Sequence, residues 1–146
     1  MLGALAHFVG AFALAVPIGW ERERASRSAG LRTFPLVAAA SCAYVLVGRA
    51  ALGGNAEAEA RLVQGLMTGI GFVGGGAILK GDAKVRGTAT AAGIWMTGAI
   101  GAAAGHGRWE LAIAASALTF VALRWLTPIE RRIAPDPERS ATPDAE

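Results

Sequence analysis

Residues 62–79 read Leu-Val-Gln-Gly-Leu-Met-Thr-Gly-Ile-Gly-Phe-Val-Gly-Gly-Gly-Ala-Ile-Leu, without a single charge. Within them, Gly69-Ile70-Gly71-Phe72-Val73-Gly74 satisfies the literal pattern GxGxxG, which in a soluble α/β protein seats a pyrophosphate at a helix N-terminus. That reading needs a strand before the glycines and a βαβ unit around them. Here the glycines lie in the middle of an apolar run instead. A membrane helix accounts for the same residues, because small side chains four apart let helices approach closely where lipid gives no hydrophobic driving force. Gly65/Gly69 and Gly71/Gly75 have that spacing.

The rest of the chain agrees with a lipid environment. Of its 146 residues, 53% are hydrophobic and 17% charged, its mean hydropathy is +0.43, and its charges cluster between long apolar runs. Runs near the length of a bilayer span predict helices over about 2–20, 31–52, 62–79, 88–105 and 111–127, with Arg32, Arg49 and Arg124 close to span ends. The expected fold is all-α, a transmembrane bundle of five helices over residues 1–127. Residues 128–146, rich in Pro, Asp, Glu and Arg, are expected to form a disordered cytoplasmic tail. Ala13-Leu14-Ala15 resembles a signal-peptide cleavage site, but no basic segment precedes the apolar run and the run continues to Trp20, so it is read as a mature helix.

Charge placement sets the orientation. Arg22, Arg24, Arg27, Arg32, Lys80, Lys84, Arg86, Arg124, Arg131, Arg132 and Arg139 fall on one side of a five-helix topology, and Arg49, Arg61 and Arg108 on the other. The positive-inside rule then places the N-terminus outside and the C-terminus in the cytoplasm of a bacterial inner membrane. Basic residues beside apolar spans contact lipid headgroups, so the net charge of +3 does not imply nucleic acid.

In the fourth helix Gly93, Thr97 and Gly101 form a small-residue stripe with Gly98 and Ala102 beside it, so the third and fourth helices are expected to make the packed centre. Gly69, Gly71, Gly74, Gly75 and Gly76 serve either that packing or a loosened helix whose carbonyls meet an ion. The sequence admits both.

The polar segments are Gly19-Trp20-Glu21-Arg22-Glu23-Arg24, Ala29-Gly30-Leu31-Arg32-Thr33, and Val85-Arg86-Gly87-Thr88-Ala89-Thr90 leading to Gly93-Ile94-Trp95. Basic residues alone would satisfy the positive-inside rule, so Glu21 and Glu23 call for another role. Arg32 paired with either acid would tie the second helix to the first, and the acids could supply oxygen ligands to a hard cation such as Mg²⁺. The expected functional cluster is Glu21, Arg22, Glu23, Arg32 and Thr33, joined by Arg86, Gly87, Thr88, Thr90 and Trp95. Gly30-Leu31-Arg32-Thr33 and Gly87-Thr88-Ala89-Thr90 each open a helix leaving the same side, which hints at duplicated hairpins.

Together with Gly69-Ile70-Gly71-Phe72-Val73-Gly74-Gly75-Gly76, these segments resemble the MgtC/SapB family of bacterial membrane proteins, whose motifs run G-x-E-R-E, A-G-L-R-T, G-I-G-F-x-G-A-G and G-L-T-T-A-A-x-x-W. The resemblance covers nearly the whole chain up to the fifth helix. Thr88-Ala89-Thr90 departs from the usual Leu-Thr-Thr, and Glu57 and Glu59 stand where an Asp is common. Larger members carry a soluble C-terminal domain where this chain has a short tail. The resemblance implies a non-enzymatic regulator of another membrane complex such as an ATPase, linked to magnesium limitation or virulence. The alternative is a divalent-cation transporter or ion conduit acting as an oligomer.

The remaining residues suggest no chemistry. Cys42 is the single cysteine, so no intrachain disulfide forms. His7 is expected to bond a neighbouring helix, Trp20, Trp109 and Trp125 to anchor at interfaces, and Trp95 to pack deeper. No catalytic triad, phosphate loop or zinc spacing occurs, so neither an enzyme nor a cofactor is expected, and a metal site stays undefined. The expected partners are the bilayer, a membrane protein and a second copy of the chain.

Overall fold

A computed structural model describes residues 2–25, 29–80 and 85–126 together with Ile129, leaving aside the side chains of Leu79, Lys80 and Val85. The expected tail at 128–146, apart from Ile129, lies outside the described residues, as do Arg27 and Lys84. Five α-helices follow in order: α1 Leu2–Ala25, α2 Thr33–Leu52, α3 Ala56–Gly76, α4 Thr88–Gly105 and α5 Trp109–Val121, the last continued by a π-helical turn Ala122–Leu126. Between α3 and α4, β1 Leu79–Lys80 pairs antiparallel with β2 Val85–Arg86, Leu79 opposite Arg86. The protein is an all-α membrane bundle.

Helix ends differ from the expectation for local reasons. The first helix runs past Trp20 to Ala25, so Glu21 to Arg24 are helical and not part of a loop. The third begins at Ala56 because the Asn55 side chain accepts from Ala58 N, and Glu57 and Glu59 then suit the positive end of the helix dipole. It ends at Gly76, where Ala77 N and Ile78 N turn back to the carbonyls of Gly74 and Gly75 before β1.

The helices alternate in direction. Gly19 lies against Leu31 and Gly30, Gly74 against Ala91, and Gly93 against Phe34 and Leu123, which places the ends of α1, α3 and α5 beside the starts of α2 and α4. At the opposite end Gly48 meets Leu62, Gly105 meets Val45 and Gly10 meets Trp109. Arg22, Arg24, Arg32, Arg86 and Arg124 therefore share one end, and Arg49, Arg61 and Arg108 the other.

The centre of the bundle is α4, which packs against α1, α2, α3 and α5. Its buried residues Thr90, Gly93, Ile94, Thr97, Gly98, Gly101, Ala104 and Gly105 include the small-residue stripe read from the sequence. Gly98 receives Ile70, Gly101 lies on the Ala38 backbone and Gly105 on Val45. These close approaches are what glycine permits in a membrane. By length and composition α1, α2 and the segment Trp109–Leu126 are each apolar enough to cross a membrane. Helix α4 meets other helices on most sides, so its Thr and Gly content costs little exposure to lipid.

Helix α3 departs from the expectation. It is peripheral, packs chiefly on α4 and α2, and buries only Ile70 and Gly74. Of its expected packing glycines, Gly74 alone meets a neighbour, with the position of a Cβ 3.2 Å from Ala91 O. A Cβ at Gly65, Gly69, Gly71, Gly75 or Gly76 would touch nothing within 4 Å. The reason lies in the helical period: Ile70 and Gly74 are one turn apart on the α4 side, and Gly71 and Gly75 turn away from it.

Candidate functional site

The polar segments converge at the end rich in basic residues. Buried positions along α1 are Ala11, Ala15, Ile18, Gly19 and Arg22, an i, i+4, i+7, i+8, i+11 series that carries Arg22 inward as its next member. Its side chain is 6% exposed, and Nη2 donates to Thr90 Oγ1 at 2.7 Å. Thr90 is fully buried. This charge-assisted bond joins the last turn of α1 to the first turn of α4.

A second junction links α1 to α2. Glu23 Oε2 accepts from Leu31 N at 3.1 Å, and Gly30 O accepts from Thr33 N and Phe34 N at 3.0 and 3.1 Å. Gly30 is required there, because a Cβ would stand 2.9 Å from both Cα and Cβ of Glu23. Gly19 gives room from the other side, with its own Cβ position 3.1 Å from Leu31 Cα.

The third junction was not anticipated from the sequence. Glu21, with 14% of its side chain exposed, faces Arg124 Nε at 3.8 Å, whereas the sequence alone marks Arg124 only as an orientation charge. It lies in the π-helical turn that ends α5. The extra residue of such a turn shifts the helix face by part of a turn, which re-aims the last side chains toward α1.

Arg32 does not pair with Glu21 or Glu23. Glu23 is held by the Leu31 N–H in the turn before α2 and Glu21 by Arg124, while Arg32, the N-cap of α2, is exposed. Thr33 is half-buried, with its N–H on Gly30 O, and Arg86 and Thr88 are exposed. Gly87, at φ 94°, accepts Ala91 N and lies against Ala77 O, where any Cβ would collide. It allows the chain to leave the β1–β2 pair and enter α4 at once. Trp95 is 46% exposed rather than packed, facing away from the centre. Gly69, Gly71, Gly75 and Gly76 lie on α3, outside this cluster.

At the opposite end His7 bonds Gly3 O in its own helix and its ring lies 5.3 Å from that of Trp109. Trp109 thus packs over Gly10 in addition to sitting at a helix start. Among the described residues no group of three or more His, Cys, Asp or Glu could hold a metal ion.

The chemistry of the cluster is that of a clamp. Three α1 side chains in consecutive positions, Glu21, Arg22 and Glu23, engage the π-helical turn that continues α5, the first turn of α4 and the turn before α2 respectively. Arg24, Arg32 and Arg86 stay exposed at the same end of the bundle.

Several known proteins are similar to this chain in sequence. SrpB of Synechococcus elongatus is 37% identical over 88% of the chain and 82% of its own length. YhiD of Escherichia coli, whose name proposes a magnesium transporter, is 35% identical over 73% of the chain and 52% of its own length. MgtC of Salmonella typhimurium is 32% identical over 91% of the chain. The chain spans about half the length of YhiD and 56% of MgtC. No solved structure matches it. The MgtC family profile matches residues 8–132, from within α1 past the π-helical turn, and the chain belongs to that family.

Proposed function

We propose that this protein is a non-enzymatic regulator which binds another membrane complex, with the clamped end as its docking face and magnesium limitation as its setting. The carrying observation is that both acids suited to a cation are already engaged, Glu21 by Arg124 and Glu23 by Leu31 N. The interior supports the same reading. Thr97, Ser41 and Thr119 donate to carbonyls of their own helices, and Ser116 donates to Leu14 O. Those hydroxyls are committed to backbone rather than arrayed along a path. The exposed Arg24, Arg32 and Arg86 form a cationic surface complementary to an acidic segment of a partner.

A second reading, a divalent-cation conduit, is favoured by the name of YhiD. Purified protein in liposomes separates the two. Absence of Mg²⁺ flux, with co-purification of a membrane complex from cells that Arg32→Glu abolishes, is the expected outcome. Flux dependent on the protein would favour the conduit.

The same reading puts the clamped end in the cytoplasm and the N-terminus outside. In a Cys42→Ala background, an impermeant thiol reagent applied to intact cells should label Ala56→Cys, at the start of α3, and spare Ala25→Cys, at the end of α1. The reverse pattern would invert the orientation.

A further inference from the structure

Residues of α2 and α3, beside the contact of Gly48 with Leu62, line a cleft of about 640 Å³. Val37, Tyr44, Arg61, Gly65, Gly69 and Val73 are among the residues on its walls. We infer that this cleft holds an acyl chain of an anionic phospholipid from the leaflet on the Arg61 side.

Length, polarity and shape point to that occupant. From Arg61 to Val73 the α3 wall rises about 18 Å at 1.5 Å per residue, close to the roughly 15 Å of one hydrocarbon leaflet. The walls are apolar except toward Arg61, Tyr44 and Ser41, and Ser41 is already bonded to Val37 O. Arg61 is the one charged residue on the lining among the described residues. Its ion pair with Glu57 is exposed on both sides, at 75% and 77%. Such a pair contributes little, so a phosphate can take over the guanidinium, while the exposed Tyr44 hydroxyl offers a further donor from the α2 wall.

The glycines fit the same reading. Gly65 and Gly69 weaken α3 relative to alanine, yet a Cβ on either would meet nothing within 4 Å. Their effect is to hollow the wall. A second copy seated here about a two-fold axis along the membrane normal would bring Arg61 to Arg61 at equal depth. An anionic headgroup is complementary at that position.

The test is lipid retention by the purified full chain in detergent, read by native mass spectrometry with phosphatidylglycerol, phosphatidylcholine or inorganic phosphate added. Phosphatidylglycerol should remain at one per chain, and inorganic phosphate should neither bind nor displace it. Gly69→Phe, which fills the cleft, should lower retention of both lipids about tenfold. Arg61→Gln, a change on an exposed side chain, should weaken phosphatidylglycerol about tenfold and leave phosphatidylcholine unchanged. No lipid on the wild-type chain, or retention by both variants unchanged from wild type, overturns the proposal. A dimer without lipid, dissolved by Gly69→Phe, would assign the cleft to a second copy and overturn it equally.

Discussion

Replacing Arg22 by alanine is expected to destabilise the bundle by about 3 kcal/mol, because it removes a buried charge-assisted hydrogen bond and the packing of a long side chain together. The bond is the 2.7 Å contact from Arg22 Nη2 to the fully buried Thr90 Oγ1. An exposed pair of the same groups would contribute ~1 kcal/mol or less, so the size of the effect distinguishes a clamp from an orientation signal. Thr90→Val should cost about 2 kcal/mol, since it keeps the volume and leaves the guanidinium one acceptor short. The double variant should cost less than the two singles added, as expected for residues sharing one bond. Equilibrium unfolding in mixed micelles gives all three values. Losses under 1 kcal/mol for both singles, with strict additivity, would leave Arg22 without a clamping role. Growth at low magnesium adds the functional arm: an Arg22 variant that accumulates in the membrane should still fail there, because α1 no longer fixes the ends of α2, α4 and α5 together.

How much of this was legible before the fold depends on which physical signal each residue carries. Apolar run length located all five helices, and the Gly93, Thr97, Gly101 spacing marked the buried stripe of α4, because period and side-chain size are properties of the local sequence. The inward turn of Arg22 was also readable, as the continuation of Ala11, Ala15, Ile18 and Gly19. It was obscured by ending the helix at Trp20, where the apolar run stops, although a charged residue can continue a helix as readily as an apolar one. The partners of Glu21 and Glu23 were not readable. Arg124 is over a hundred residues from Glu21 in the chain, and its approach depends on a π-helical turn that no local pattern announces. Leu31 offers Glu23 only a backbone N–H, which any residue carries. For the α3 glycines, spacing revealed that close approach was possible without revealing which glycines the neighbouring helix would meet.

That last distinction makes the largest contrast available in this fold. Gly101→Ala is expected to cost about 3 kcal/mol, the upper end for overpacking, whereas Gly75→Ala should stabilise the isolated chain by up to about 1 kcal/mol. A Cβ at Gly101 would run into the Ala38 carbonyl, 2.8 Å from Ser41 Cβ and 2.9 Å from Ala38 C. Two of those three atoms belong to the α2 backbone, which cannot rotate aside as a side-chain tip can. Relief therefore requires α2 and α4 to separate, and α4 is the helix on which the other four rest. Gly98→Ala should cost less, since the obstacle there is the Ile70 side chain, which can change rotamer. At Gly75 nothing lies within 4 Å of the added methyl, so only the gain in helix propensity remains. Unfolding of the three variants in detergent, at a concentration where the chain is monomeric, should rank them Gly75→Ala above wild type, then Gly98→Ala, then Gly101→Ala. A Gly75→Ala variant as damaged as Gly101→Ala would show that this face of α3 is covered in the native protein. An undamaged Gly101→Ala would remove α4 from the centre of the bundle.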